Sequence, residues 1–147
     1  MSPSRTDTWS QPQHVIRLNP ADATAFRARL VDATRAHEDL SKQVVGSVLL
    51  RALTRGKITE SQVRAWYDEF GPWKPAGEVA AAQPKEIIRL NRDDDAAFQH
   101  YLIDLRIRAR LSKQVAGSTV FRAWTRGKIT DAQVLDWSAE FGPWLPD

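Results

Sequence analysis

The sequence contains no cysteine, and this absence excludes two kinds of structure. Without thiols the chain forms neither a disulfide framework nor a thiolate metal site. Disulfides are rare in reducing compartments, so their absence fits a protein of the cytosol. We therefore expect a cytoplasmic protein.

Long apolar runs are also absent. No segment approaches the roughly 20 apolar residues that span a bilayer, so we expect no membrane partner. Residues 1–12 are polar, rich in Ser, Thr, Pro and Gln, and lack the apolar region of a signal peptide. This composition predicts a disordered arm.

Neither charge nor catalytic motifs dominate the sequence. The chain has 21 Lys and Arg against 18 Asp and Glu, a net charge of +3, which permits a polyanionic partner without requiring one. It has no nucleophile–base motif, phosphate loop or zinc-type spacing. The three histidines, at positions 14, 37 and 100, do not recur between related segments of the chain. We therefore expect no enzyme activity, no cofactor and no metal site.

The chain does contain one segment twice. Residues 16–75 align with residues 88–146 with 33 identities in 59 pairs, when one residue near His37 is left unpaired. Units of about 60 residues bury only about 60% of the surface of their unfolded chain, so each copy alone would be marginally stable. We therefore expect two copies that share a core as a pseudo-twofold single-chain dimer. The expected boundaries are repeat 1 at 13–75, a linker at 76–84 and repeat 2 at 85–147.

The same β-α-α-α order is predicted in both copies. Residues 13–18 and 85–90 are short and rich in β-branched side chains, which favours strands. Each of the three following helices has a polar N-cap candidate, and a glycine follows the second helix where a left-handed residue ends it. The N-cap candidates are Asn19, Ser41, Thr59, Asn91, Ser112 and Thr130, and the glycines are Gly56 and Gly127. The expected fold class is mainly α with a short two-stranded antiparallel ribbon.

A short strand, a helix and a Leu-Ser-Lys cap before a second apolar helix resemble the ribbon-helix-helix family of DNA-binding repressors, of the Arc, MetJ and CopG type. The resemblance covers residues 16–53 and 88–124. It rests on Ile-Arg-Leu at 16–18 and 88–90, with Leu-Ser-Lys at 40–42 and 111–113. It implies that the two strands pair antiparallel and enter the DNA major groove, while the second helices form the dimer core. The third helix and the Gly-Pro-Trp ends are additions for which the family gives no role.

Alternation along a strand separates reading positions from core positions. Ile16 and Leu18 are expected to face the helices. We expect base contacts from the outward residues Gln13, Arg17, Lys85 and Arg89, and phosphate contacts from Ser41, Lys42, Ser112 and Lys113 at the starts of the second helices. The expected function is sequence-specific binding of double-stranded DNA, as in a transcriptional regulator of bacterial or phage type. Arg17 and Arg89 are equally well explained as solvated charges on an outer sheet face.

Two other functions remain open from the sequence. The chain is alternatively a protein-interaction adaptor, such as an antitoxin or a phage-type inhibitor, that binds a protein partner through its Trp-rich ends or its N-terminal arm. It is alternatively a tandem helix-turn-helix DNA binder that reads with Gln62, Arg64 and Gln133. Arg-Gly-Lys at 55–57 is a candidate minor-groove hook, although its glycine is already explained as a helix end. Further self-association is not excluded.

Overall fold

The computed structural model describes residues 11–144. Most of the expected disordered arm, including Trp9, and the last three residues of the expected second repeat lie outside the described residues. The described part is mainly helical with one two-stranded antiparallel sheet, as the sequence predicts. In chain order the elements are β1 (Gln13–Arg17), α1 (Pro20–Ala36), α2 (Lys42–Thr54), α3 (Glu60–Phe70), β2 (Lys85–Arg89), α4 (Arg92–Ala109), α5 (Lys113–Thr125) and α6 (Asp131–Phe141). One short 3-10 helix, Ala80–Ala82, lies in the linker.

The helix ends follow the local sequence signals. Each of the six predicted N-caps accepts a hydrogen bond from a backbone N–H two or three residues into its helix. The helices α2 and α5 are followed by Gly56 and Gly127, whose φ angles of +75° and +77° confirm the predicted left-handed positions. The helices α3 and α6 end at Gly71 and Gly142. These boundaries are set by local chemistry, which explains why the sequence predicts them.

The strands β1 and β2 pair with each other and form the ribbon. Gln13 lies opposite Arg89, Val15 opposite Ile87, and Arg17 opposite Lys85. The alternate residues face the helices, where Ile16 and Ile88 are fully buried. A strand of five residues leaves its backbone groups unpaired without a partner, and each strand supplies that partner to the other.

The ribbon fits closely onto the central helices because α2 and α5 each carry a glycine beneath it. A Cβ atom placed on Gly46 would lie 2.2 Å from Cδ1 of Ile88, and one on Gly117 would lie 2.6 Å from Cδ1 of Ile16. Each isoleucine therefore occupies the space that the missing side chain leaves. In both pairs the isoleucine and the glycine come from different halves of the chain.

The hydrophobic core is one cluster drawn from both halves, 13–75 and 85–144. Helix α3 packs against α5, and α6 packs against α2, while α1 also contacts α5 and α4 contacts α2. The halves are thus interlocked through their helices as well as joined by the ribbon. Among residues 11–144, no helix combines the length and apolar character needed to cross a membrane.

Candidate nucleic-acid interface

The outward face of the ribbon is formed by three cross-strand pairs. They are Gln13 with Arg89, Val15 with Ile87, and Arg17 with Lys85, and within residues 11–144 they hold three cations and no carboxylate. Gln13 and Lys85 are exposed, and the other four side chains are partly exposed. The sequence therefore places all four of its predicted base-reading residues on one face, as expected from alternation.

The guanidinium of Arg17 turns toward the linker. Its Nη1 atom donates to the carbonyl oxygen of Ala81 at 3.1 Å and to that of Gln83 at 3.0 Å. Lys85 lies directly opposite Arg17, and like charges in directly opposite positions destabilise a ribbon. In the described part of the chain no carboxylate offsets this repulsion by an ion pair to either residue.

At the other end of the ribbon, Arg89 is held by a different group. With the Gln13 amide turned so that its oxygen faces the guanidinium, that oxygen accepts from Nη1 of Arg89 at 2.9 Å and from Nη2 at 3.2 Å. The Nη1 atom also donates to the carbonyl oxygen of Gln11 at 3.5 Å. A neutral amide thus orients one ribbon arginine, whereas the other lies opposite an ammonium group.

The predicted phosphate-binding residues lie at the first turns of α2 and α5. Ser41 and Ser112 act as N-caps, accepting from the N–H groups of Val44 and Val115. The free N–H groups and the dipole of a helix N-terminus favour an anion at such a place. The serines are exposed, so the helix starts are accessible to a phosphate.

The lysines at these helix starts each have a carboxylate nearby. Nζ of Lys42 lies 3.5 Å from Oε1 of the buried Glu86, which also accepts from Nε of Arg27 at 3.0 Å. Burial lowers the pKa of Lys113, and the charge of Asp95 acts in the opposite direction. Lys42 is therefore already partly neutralised, and it would have to share its charge between Glu86 and a phosphate.

Two glutamines next to these lysines close the outer edges of the strands, a role that the sequence analysis missed. Gln114 on α5 accepts from the N–H of Arg17 at 2.8 Å and donates to the carbonyl oxygen of Val15 at 2.8 Å. Gln43 on α2 bonds to a single residue of the other strand: it accepts from the N–H of Arg89 at 3.1 Å and donates to the carbonyl oxygen of Arg89 at 2.6 Å. These side chains satisfy backbone groups that an edge strand otherwise exposes to another strand. Their signal in the sequence is the repeated Leu-Ser-Lys-Gln-Val.

The Arg-Gly-Lys segments are engaged inside the molecule. Arg55 donates to Asp94 at 2.9 Å and lies 4.4 Å from the ring centre of Phe141, and Nζ of Lys57 lies 3.0 Å from Glu140. The segment 126–128 makes the corresponding contacts with Asp22, Phe70 and Glu69. The best-matched segments of the repeat therefore meet each other across the two halves. This arrangement gives the third helix a role as a brace between the halves.

The residues of the helix-turn-helix alternative are likewise occupied. The side chains of Gln62 and Gln133 accept from the N–H groups of Thr59 and Thr130 and complete capping boxes. Arg64 donates to the carbonyl oxygen of Ala109. Of the Gly-Pro-Trp ends, Trp73 is buried and Trp144 is half-buried.

The buried histidine is a second feature that the sequence analysis left without a role. Nε2 of His14 lies 2.7 Å from Oδ1 of Asp95, and its ring meets that of Phe98 edge to face. Burial lowers the pKa of His14, although the hydrogen bond to Asp95 opposes this effect. His14 faces the core from the ribbon, so it supports the strand from beneath and does not belong to the outward face.

Comparison with known proteins gives no further assignment: no protein-family model, curated protein or solved structure matches the chain. Within residues 11–144, no group of three or more acidic or histidine side chains is arranged to hold a metal ion. The candidate interface therefore rests on the geometry of the ribbon and of the two helix starts.

Proposed function

We propose that the chain binds double-stranded DNA in a sequence-specific manner, as a single-chain pseudo-dimer of the ribbon-helix-helix kind that regulates transcription. The observation that carries this proposal is the outward face of the ribbon, with three cations, one amide and no carboxylate among its six side chains. A two-stranded ribbon fits the major groove, where arginine and lysine bond to guanine.

The opposition of Arg17 and Lys85 supports an anionic partner in particular. Two like charges in directly opposite positions cost stability, and the internal partners of Arg17 are neutral carbonyl groups. A DNA groove, flanked by phosphates, offsets this repulsion. The N-termini of α2 and α5 are accessible, and their backbone N–H groups supply two further places for an anion.

The proposed pseudo-twofold symmetry gives the chain both strands of a reading element. In the sequence repeat, β1 corresponds to β2. Contacts between the halves also occur in matching pairs, such as Arg55 with Asp94 and Arg126 with Asp22. The third helix, which the family lacks, serves in this proposal to fasten the two copies together. A chain built in this way needs no second molecule to complete its ribbon.

Binding to duplex DNA across a salt series tests the proposal. We expect fluorescence anisotropy to show an association constant whose logarithm falls linearly with the logarithm of the salt concentration. The double variant Arg17→Glu with Arg89→Glu should lose binding while its thermal melt stays close to that of the parent. The matched control is Arg35→Glu with Arg106→Glu, which makes the same change of charge at exposed positions on α1 and α4. If Arg17→Glu with Arg89→Glu bound DNA as tightly as the parent chain does, the ribbon would be removed from the interface.

A protein-interaction adaptor is the second candidate, and one observation favours it. Ile103 and Ile107, one helical turn apart on the same face of α4, are exposed by 59% and 75%, respectively. Exposed aliphatic side chains of this size on helix faces are typical of protein-binding surfaces when they cluster. Absence of DNA binding at low salt, together with capture of a partner that Ile107→Glu abolishes, would establish the adaptor.

A further inference from the structure

The two ends of the ribbon differ at one polar position. In an antiparallel pair, Gln13 opens β1 and Lys85 opens β2, so these residues hold corresponding places, as Arg17 and Arg89 do. One end therefore presents an arginine with a neutral amide, and the other presents an arginine with an ammonium group. The central pair, Val15 and Ile87, is apolar on both strands.

The amide and the ammonium have opposite effects on the arginine across the ribbon. With its amide turned toward Arg89, the Gln13 oxygen accepts two hydrogen bonds from the guanidinium and helps to orient it, together with the carbonyl oxygen of Gln11. A lysine side chain has donors and no acceptor, so Lys85 accepts no hydrogen bond from Arg17, and its positive charge repels the guanidinium. The guanidinium of Arg17 bonds to carbonyl groups of the linker. At the first end the amide is committed to orienting the arginine. At the second end the ammonium remains available to a ligand.

We infer that the ribbon reads two unequal half-sites and that Lys85 is the residue that distinguishes them. This inference rests on the proposed DNA binding. Guanine presents two acceptors, O6 and N7, in the major groove, and these suit the donors of lysine. The half-site under Lys85 and Arg17 therefore requires guanine at one more position than the half-site under Gln13 and Arg89. Gln13 acts at the corresponding position as a positioning residue for Arg89.

Selection of duplexes from a randomised library with the full chain tests this inference. The wild-type chain should select a site with guanine at only one of two symmetry-related positions. Gln13→Lys, which gives both ends the same residues, should select guanine at both positions, and Lys85→Gln should select it at neither. Replacing the single guanine should lower the affinity of the wild-type chain at least about fivefold and leave that of Lys85→Gln unchanged. Thermal melts of the two exposed-site variants check that both are folded.

The orientation of the chain on the site provides an independent readout. Because the chain has no cysteine, a DNA-cleaving iron chelate attaches only at an introduced thiol. Ala25→Cys on α1 and Ala97→Cys on α4 are exposed and occupy corresponding positions. We expect each conjugate to cut on one side of the unequal site, and the two conjugates to cut on opposite sides.

Two results would overturn the inference while leaving DNA binding intact. One is a palindromic wild-type site that Gln13→Lys does not change. The other is cleavage on both sides by each conjugate, which shows that the chain binds in both orientations equally. Failure to bind any duplex at low salt is a distinct outcome, because it overturns the proposed function itself.

Discussion

The buried guanidinium of Arg51 on α2 donates a hydrogen bond to the carbonyl oxygen of Gly142, 2.8 Å away at the end of α6. Arg122 on α5 makes the corresponding bond to Gly71 at the same distance. Carbonyl groups at a helix end lack partners within the helix, and the dipole there favours a cation. Each arginine is therefore both a hydrogen-bond donor and a favourable charge for a helix of the other half. These two bonds fasten the third helices in place.

Removing Arg51 should weaken the fold more than removing Arg122. Arg51→Met retains much of the side-chain volume but leaves the Gly142 carbonyl unpaired, which costs about 1–3 kcal/mol of unfolding free energy. Nη2 of Arg51 also reaches Oγ of Ser47 at 3.4 Å, whereas Nη2 of Arg122 is buried without a hydrogen-bond partner in the described part of the chain. Urea unfolding followed by circular dichroism measures both variants. Equal stability of Arg51→Met and the parent would show that this bond does not fasten α6.

Local chemistry explains which parts of the fold the sequence predicts. The N-caps Asn19 and Ser41 and the glycine end at Gly56 depend on contacts within a few residues, so each has a visible signal. The pairing of the strands was also predictable, because a strand of five residues with one apolar face needs a partner and the repeat supplies one. Placing Ile16 and Ile88 on the same inner face excludes a slip of one residue but does not fix the register, because a shift of two residues keeps both faces.

Contacts between distant residues explain what the sequence does not predict. Arg51 lies within an apolar helix, and charged residues there usually reach solvent, so its burial depends on a carbonyl that is 91 residues away. Gln43 reaches the backbone of Arg89 from a helix start. Neither contact has a local pattern. The repetition of both residues in the second half was the only available signal, and repetition does not say which group a side chain meets.

The outward face of the candidate site was predicted to the residue because alternation in a strand is strict. The direction in which each side chain on that face points was not predicted from the sequence. The Arg17 guanidinium bonds to the carbonyl oxygens of Ala81 and Gln83, whereas the Arg89 guanidinium bonds to the Gln13 amide and to the carbonyl oxygen of Gln11. Those directions depend on the register and on the path of the linker, which composition does not encode.

Filling the space above Gly46 should destabilise the protein. The added Cβ of Gly46→Ala meets Cδ1 of Ile88 at 2.2 Å, and overpacking of this kind costs about 1–3 kcal/mol. The better helix propensity of alanine, worth about 1 kcal/mol, offsets part of this cost. Combining Gly46→Ala with Ile88→Val removes the nearest atom, so we expect the double variant to recover part of the loss. Chemical denaturation of the four members of this cycle measures the coupling, and strictly additive effects would contradict the close fit.

Acid should weaken the fold through His14. Its unfolded pKa is near 6.5, and burial lowers the folded pKa below that value. Between the two values the unfolded chain binds more protons, so stability is fully present above pH 6.5 and falls as the pH decreases through this range. One such proton changes the free energy of unfolding by at most about 1.4 kcal/mol per pH unit. Denaturation between pH 7.5 and 5 should show that the free energy of unfolding depends less on pH in His14→Gln than in the parent. The exposed-site control His100→Gln should keep the pH dependence of the parent. Parallel curves for all three proteins would show that His14 does not set the acid response.

Separating the two halves should abolish folding, and mixing them should restore it. In a peptide of residues 11–75, β1 has no partner strand, Arg51 loses the Gly142 carbonyl, and α3 loses α5 as its packing surface. A unit of this size is only marginally stable even with all of its contacts, so these losses should prevent it from folding. We expect neither this peptide nor residues 85–147 to show a cooperative melt at micromolar concentration. The equimolar mixture should regain the near-ultraviolet signal of Trp124, which is fully buried in the complete chain. A cooperative, concentration-independent melt of residues 11–75 alone would show that this half has a core of its own. The contacts between the halves would then join two stable units and would not be the source of their stability.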